Sequence, residues 1–104
     1  MSFINGNKKN FEECVINSKV PVLVDFNAKW CGPFKMLGPV LEELAEETDK
    51  YNVVSIDVDD NQELAQKYDV YSIPCLVVIK DGQEVKRSVG FIPKEEVEEL
   101  MGDL

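Results

Sequence analysis

The chain has no histidine, which removes the side chain that most often works as a base near neutral pH and argues against a catalytic zinc or copper site. Cysteine is scarce, with three in 104 residues, and in a chain without a secretion signal these read as free thiols rather than a disulfide framework. The segment Met1 to Asn10 carries lysines but no apolar core of a signal peptide, and no stretch reaches the ~18 apolar residues of a membrane span. A cytoplasmic location without membrane contact is therefore expected. Positive charge is also in deficit: 11 Lys and Arg face 20 Asp and Glu, for a net charge of −9. Such a field repels phosphate backbones and anionic lipid, so nucleic acid is not an expected partner. Internal repeats, linkers and low-complexity tracts are absent as well.

What remains is the composition of an ordinary globular protein, 44% hydrophobic and 30% charged. The length fits one domain over residues 1–104, and folding at this size buries roughly 60–70% of the extended chain's surface, enough for a core without staples. The acids gather in pairs such as Glu42-Glu43, Glu46-Glu47, Glu95-Glu96 and Glu98-Glu99. A solvated helix face accounts for them, with docking to a basic partner as the alternative.

Hydrophobic periodicity alternates between strand and helix. Phe3 and Ile4 suggest a short strand, and Lys8 to Asn17 a helix with Phe11, Cys14 and Val15 on one stripe. Val20 to Phe26 is an apolar run broken by Asp25, the pattern of a central strand buried on both faces. A helix from about Pro33 to Glu47 carries Leu37, Leu41, Leu44 and Ala45 on one side, with Pro39 inside it as a source of kinking. Val53 to Val58 reads as a strand and Asn61 to Tyr68 as a short helix. Cys75 to Lys80 and Glu84 to Val89 flank Asp81-Gly82, a strong hairpin signal. The last helix starts near Pro93, with Val97, Leu100, Met101 and Leu104 on its apolar stripe. The order β-α-β-α-β-α-β-β-α implies an α/β fold: a mixed sheet, parallel at first and closing in an antiparallel hairpin, with helices on both faces.

The chemistry centres on Trp30-Cys31-Gly32-Pro33-Phe34-Lys35. If Cys31 closes a strand-to-helix turn, with Gly32 and Pro33 opening the helix, its sulfur meets unpaired backbone N–H groups and the positive end of the helix dipole, surroundings that favour an anionic nucleophile. Pro33 suits the first helical turn because its fixed φ fits and no N–H is missed there. The flanking Trp and Gly-Pro favour an exposed, reactive thiol over a packed one.

Val22-Leu23-Val24-Asp25-Phe26, Ala28, Trp30-Cys31-Gly32-Pro33, Lys35, Pro39, Ile73-Pro74 and Gly90 together resemble the thioredoxin family, in register over nearly all of the chain. The resemblance implies a thioredoxin fold with a central five-stranded mixed sheet flanked by four helices, thiol-disulfide oxidoreductase activity, protein disulfide substrates and a thioredoxin reductase as partner. It implies no cofactor, and a monomer is expected. Cys31 becomes the attacking nucleophile and Asp25 a buried proton shuttle, whose desolvated carboxyl should titrate high. Pro74 becomes a cis proline beside the sulfur, and Trp30, Gly32, Pro33, Ile73, Pro74, Gly90 and Phe91 form a shallow apolar groove that pairs with an extended peptide.

The sequence departs from this pattern at Phe34, which fills the position of the family's second cysteine, at Asn27, at Ser55 and at Cys75. Exchange proceeds through a mixed disulfide that a second thiol must resolve. Phe34 cannot do so, which leaves Cys31 with a single-thiol half reaction, and the ring is expected to lie over the helix start and shield one side of the sulfur. Asp25 is then a proton shuttle left without the thiol it would serve, or else a protonated structural carboxyl hydrogen-bonded through water. Cys14 is expected as inert core. Cys75 either packs or substitutes as resolving thiol, a role that needs a Cα separation from Cys31 below roughly 7 Å. A redox-inactive binding module built on the same groove is the competing reading.

Overall fold

The computed structural model describes residues 3–102 and 104, and the side chains of all of them except Pro33 and Phe34. Five strands, β1 (Phe3–Gly6), β2 (Val22–Asn27), β3 (Asn52–Asp57), β4 (Cys75–Lys80) and β5 (Gln83–Val89), form one sheet in the order β1-β3-β2-β4-β5. The first three run parallel to one another, whereas β4 is antiparallel to both β2 and β5. Three α-helices accompany them, α1 (Gly32–Glu47), α2 (Gln62–Lys67) and α3 (Lys94–Met101), with a π-helical turn at Glu12–Ile16.

Strand alternation sorts the side chains onto two faces. Leu23, Val53, Leu76 and Val78 point to the face covered by Leu37, Leu41, Leu44 and Ala45 of α1 and by Val97 and Met101 of α3. Val22, Val24, Phe26, Val54, Ile56, Cys75, Val77 and Ile79 point the other way, against Phe11 and Val15 of the π-helical segment and Leu64 of α2. Every side chain of β2 is buried, the polar Asp25 and Asn27 included.

The N-terminal helix differs from the reading of Lys8 to Asn17. The Asn7 side-chain oxygen accepts from the N–H groups of Lys9 and Asn10 at 2.8 and 3.1 Å, and Asn10 returns a bond to the N–H of Asn7 at 2.8 Å. These local bonds give the backbone an alternative to helix over Asn7–Asn10. The turn that follows closes with the N–H of Asn17 on the carbonyl of Glu12 at 2.8 Å, a π-type bond. Helix α1 passes through Pro39 without a break in its assignment. At the hairpin, Asp81 and Gly82 have φ of 54° and 79°, the left-handed pair that a two-residue turn between twisted strands demands.

Candidate active site

Three segments far apart in sequence meet at one end of β2. Cys31 is the N-cap of α1, with extended backbone at φ −75° and ψ 117°, and Gly32 and Pro33 open the helix behind it. Its sulfur lies 3.9 Å from the carbonyl oxygen of Ile73, within reach of a weak S–H donor. Ile73-Pro74 is a cis peptide, as the resemblance implied. The N–H of Gly90, at φ 94°, then donates to the carbonyl of Pro74 at 2.8 Å, which ties the end of β5 to the same loop. Ile73, Pro74 and Gly90 thus stand together beside Cys31.

The expectation of an exposed thiol needs correction. Cys31 is 5% exposed, because the residue that caps the helix turns its sulfur inward onto the Ile73 carbonyl. Its neighbours are not covered: Trp30 is 69% exposed and Tyr71 89%, with Val89 and Phe91 also exposed. Each of these four lies within three residues of Cys31, Pro74 or Gly90. The indole N–H of Trp30 donates to Asp59 Oδ2 at 2.8 Å, which holds the ring over the loop after β3. Gly32 is exposed as well. The expected placement of the Phe34 ring, and the side chain of Pro33, lie outside the described residues.

Neither other cysteine faces this site. Cys75 pairs with Phe26 across β2 and β4 and packs with it on the sheet face away from α1, and the half-buried Cys14 packs against that same cluster. Burial pushes the Cys75 thiol up, with the Arg87 guanidinium pulling against it. The packing reading of Cys75 follows from strand alternation alone.

Asp25 sits on the α1 face of β2, opposite Ser55 on β3 and Leu76 on β4, and is 1% exposed. Burial pushes its carboxyl up to about 7, and a hydrogen bond from Asn27 acts in the opposite direction. Asn27 Nδ2 donates to Asp25 Oδ2 and to Ser55 Oγ, both at 2.9 Å, and contacts the Asp25 carbonyl at 3.1 Å. Asp25 Oδ1 has no hydrogen-bond partner among the described residues. Sequence reasoning marked Asn27 and Ser55 as departures but did not join them to Asp25. The signal was available in the i, i+2 spacing of Asp25 and Asn27, which puts both on one face of a strand.

Mixed sheet, capping cysteine and cis-proline loop together define an α/β protein of thiol chemistry. A model of the thioredoxin family matches residues 2–103. The chain is 62% identical over 81 residues to the thioredoxin of Bacillus subtilis strain 168, covering 77% of this chain and 78% of that one. It is 49% identical over 102 residues to the thioredoxin of Staphylococcus saprophyticus, covering 97% and 96%. The thioredoxin of Haemophilus influenzae is 49% identical over 92 residues, covering 88% and 86%. The chain belongs to the thioredoxin family, and by that membership it is a thiol-disulfide oxidoreductase with the α/β fold expected of one.

Proposed function

We propose that this chain carries out protein-disulfide exchange in single-thiol form. The Cys31 thiolate attacks one sulfur of a substrate disulfide; a bond forms between them, the substrate S–S bond breaks, and the second substrate sulfur leaves as thiolate. With phenylalanine at position 34, resolution falls to an external low-molecular-weight thiol such as glutathione: one glutathione thiolate attacks the Cys31 sulfur and displaces the substrate thiolate, and a second attacks the resulting Cys31–glutathione disulfide, which frees Cys31 and leaves oxidised glutathione. The observation that carries this reading is the placement of the sulfurs: Cys31 caps α1, whereas Cys14 and Cys75 pack on the opposite sheet face. Trp30, Tyr71, Val89 and Phe91 supply an apolar rim for the substrate, and the backbone at Ile73, before β4, supplies groups to pair with it.

Protein disulfides are the substrates under this reading, and thioredoxin reductase is a partner that binds without completing a cycle, because the internal disulfide it would reduce cannot form. The cytoplasm, which keeps thiols reduced, suits three cysteines that are all free. No helix among the described residues is long and apolar enough to cross a membrane. The test is an NADPH-coupled reduction of a protein disulfide with thioredoxin reductase, run on this chain beside Phe34→Cys. Background rates for the chain and recovery in Phe34→Cys are expected; equal rates overturn the assignment. Cys31→Ser should abolish capture of the substrate as a mixed disulfide. Retained partner affinity with no covalent capture in the unsubstituted chain would favour the binding module instead.

A further inference from the structure

The carboxamide of Asn27 stands between the buried acid and an open cleft of about 580 Å³ at the C-terminal ends of β1, β2 and β3. Asn27 and Ser55 line that cleft together with Asn5, Lys8, Lys29 and Asp57, whereas Asp25 does not reach it. The orientation of the amide is dictated by its neighbours. Two of the three groups around Nδ2 belong to Asp25, a backbone carbonyl and a carboxyl oxygen, so the nitrogen must face them; the opposite orientation would set oxygen against oxygen. One N–H then serves Asp25 and the other Ser55 Oγ. Short side chains at both positions keep the floor of the cleft uncharged and open to water.

We propose that Asn27 is a positioning residue for Asp25: its carboxamide donates to Oδ2 and to Ser55 Oγ, which fixes the carboxyl and sets the amide between the acid and the cleft. A donor held at Oδ2 favours the ionised form. This inference rests on the reading of Cys31 as the reacting thiol, since Asp25 lies on β2, the strand that leads into the Cys31 turn. The groups facing Asp25 can be stated element by element. On β3 they are Ser55, with Asp57 beyond it; on β4, Leu76 opposite and Cys75 acting from the far face; over the sheet, Leu37 and Leu41 of α1 with Cys31 at its cap. At the cleft the charged groups are Lys8, Lys9, Lys29, Asp57 and Asp60. Among the described residues none of these hydrogen-bonds to the carboxyl, whereas Asn27 does.

The experiment is a pH titration of the Asp25 carboxyl by carbon NMR on the full chain with labelled aspartate, its resonance identified by loss in Asp25→Asn. Asn27→Leu should raise the midpoint by about one pH unit, a tenfold change in the ionisation constant, and Ser55→Ala should raise it less. The pH profile of mixed-disulfide formation at Cys31 with a small aromatic disulfide should shift alongside. An unmoved carboxyl midpoint in a folded Asn27→Leu overturns the proposal. If that variant does not fold, the unsubstituted chain decides: the Asn27 side-chain amide resonances must titrate with the Asp25 midpoint, and amide signals indifferent to pH overturn it. A Cys31 unreactive towards disulfides overturns the proposed function, whereas the carboxyl titration speaks to Asn27 alone.

Discussion

The sulfur of Cys31 lies 3.9 Å from the carbonyl oxygen of Ile73, so the thiol proposed to attack and the backbone proposed to hold a substrate share one contact. Under the proposed function, attack and docking are coupled at that contact. Cys75, two residues on, does not share in this, because strand alternation sends its side chain to the face packed by Phe11 and Val15. Replacing Cys75 with Thr is therefore expected to leave the yield and lifetime of the Cys31 mixed disulfide unchanged. Intact mass measurement after reaction with a disulfide peptide checks this; faster release of the peptide thiol by the unsubstituted chain would reveal a resolving role.

Asp25 makes stability depend on pH in a defined direction. Burial raises its carboxyl from 3.8 to about 7, so the folded chain holds the proton more tightly than the unfolded one. Below about pH 4 both states are protonated and the contribution is full. Between about 4 and 7 the unfolded state releases its proton first and stability falls; above about 7 the loss is complete. At about 1.4 kcal/mol per pK unit the loss is on the order of 4 kcal/mol. Asp25→Asn should flatten this dependence and stabilise the protein at pH 8 relative to the parent, measured by urea denaturation across pH.

Gly6 closes β1 against β3 with no room for a methyl group. A Cβ there would run into Cγ1 of Val54 and stand 3.1 Å from Cγ1 of Ile56. Both are core residues of a strand flanked on two sides, so neither gives way cheaply. Gly6→Ala should cost about 1–3 kcal/mol through overpacking. Combined with Val54→Ala it should cost less than the two single changes together, since the clash is relieved. Denaturant midpoints of the four proteins in the cycle decide it.

Arg87 fastens the edge hairpin to the end of α2. Its guanidinium pairs with Glu84 at 2.8 Å and donates to the carbonyls of Asp69, at 3.2 Å, and Tyr68. Because the pair is partly exposed, the ion pair counts for little, and the carbonyl bonds dominate. Arg87→Met should destabilise by about 1–2 kcal/mol, whereas Glu84→Gln should cost less than half of that. Hydrogen exchange should quicken around Tyr68 and Asp69 in the first variant and not in the second.

Much of this arrangement was legible in the residues themselves. The Asp81-Gly82 turn, the apolar run of β2 around Asp25 and the stripe Leu37, Leu41, Leu44 each encode a local preference that tertiary contacts then confirm. The Lys8 to Asn17 segment was not legible, because periodicity registers apolar spacing and is blind to the asparagine side chains that take over the backbone bonds at Asn7–Asn10. The inward turn of Cys31 was hidden for another reason: it depends on Ile73, 42 residues away. Asn27 and Ser55 were visible as oddities, yet their bond required the register of β2 on β3, which no local pattern contains.

The hairpin register slips between Val78 and Ile79, where Val78 pairs with Lys86 and Ile79 with Glu84, leaving Val85 as an extra residue on the outer strand. Such a bulge bends its strand and breaks the even row of amides along the border, and Glu84, Lys86 and Arg87 place charge beside it. A second chain seeking to extend the sheet from that side would meet a crooked, charged template. The border formed by β5 is in this way guarded against fibrous growth.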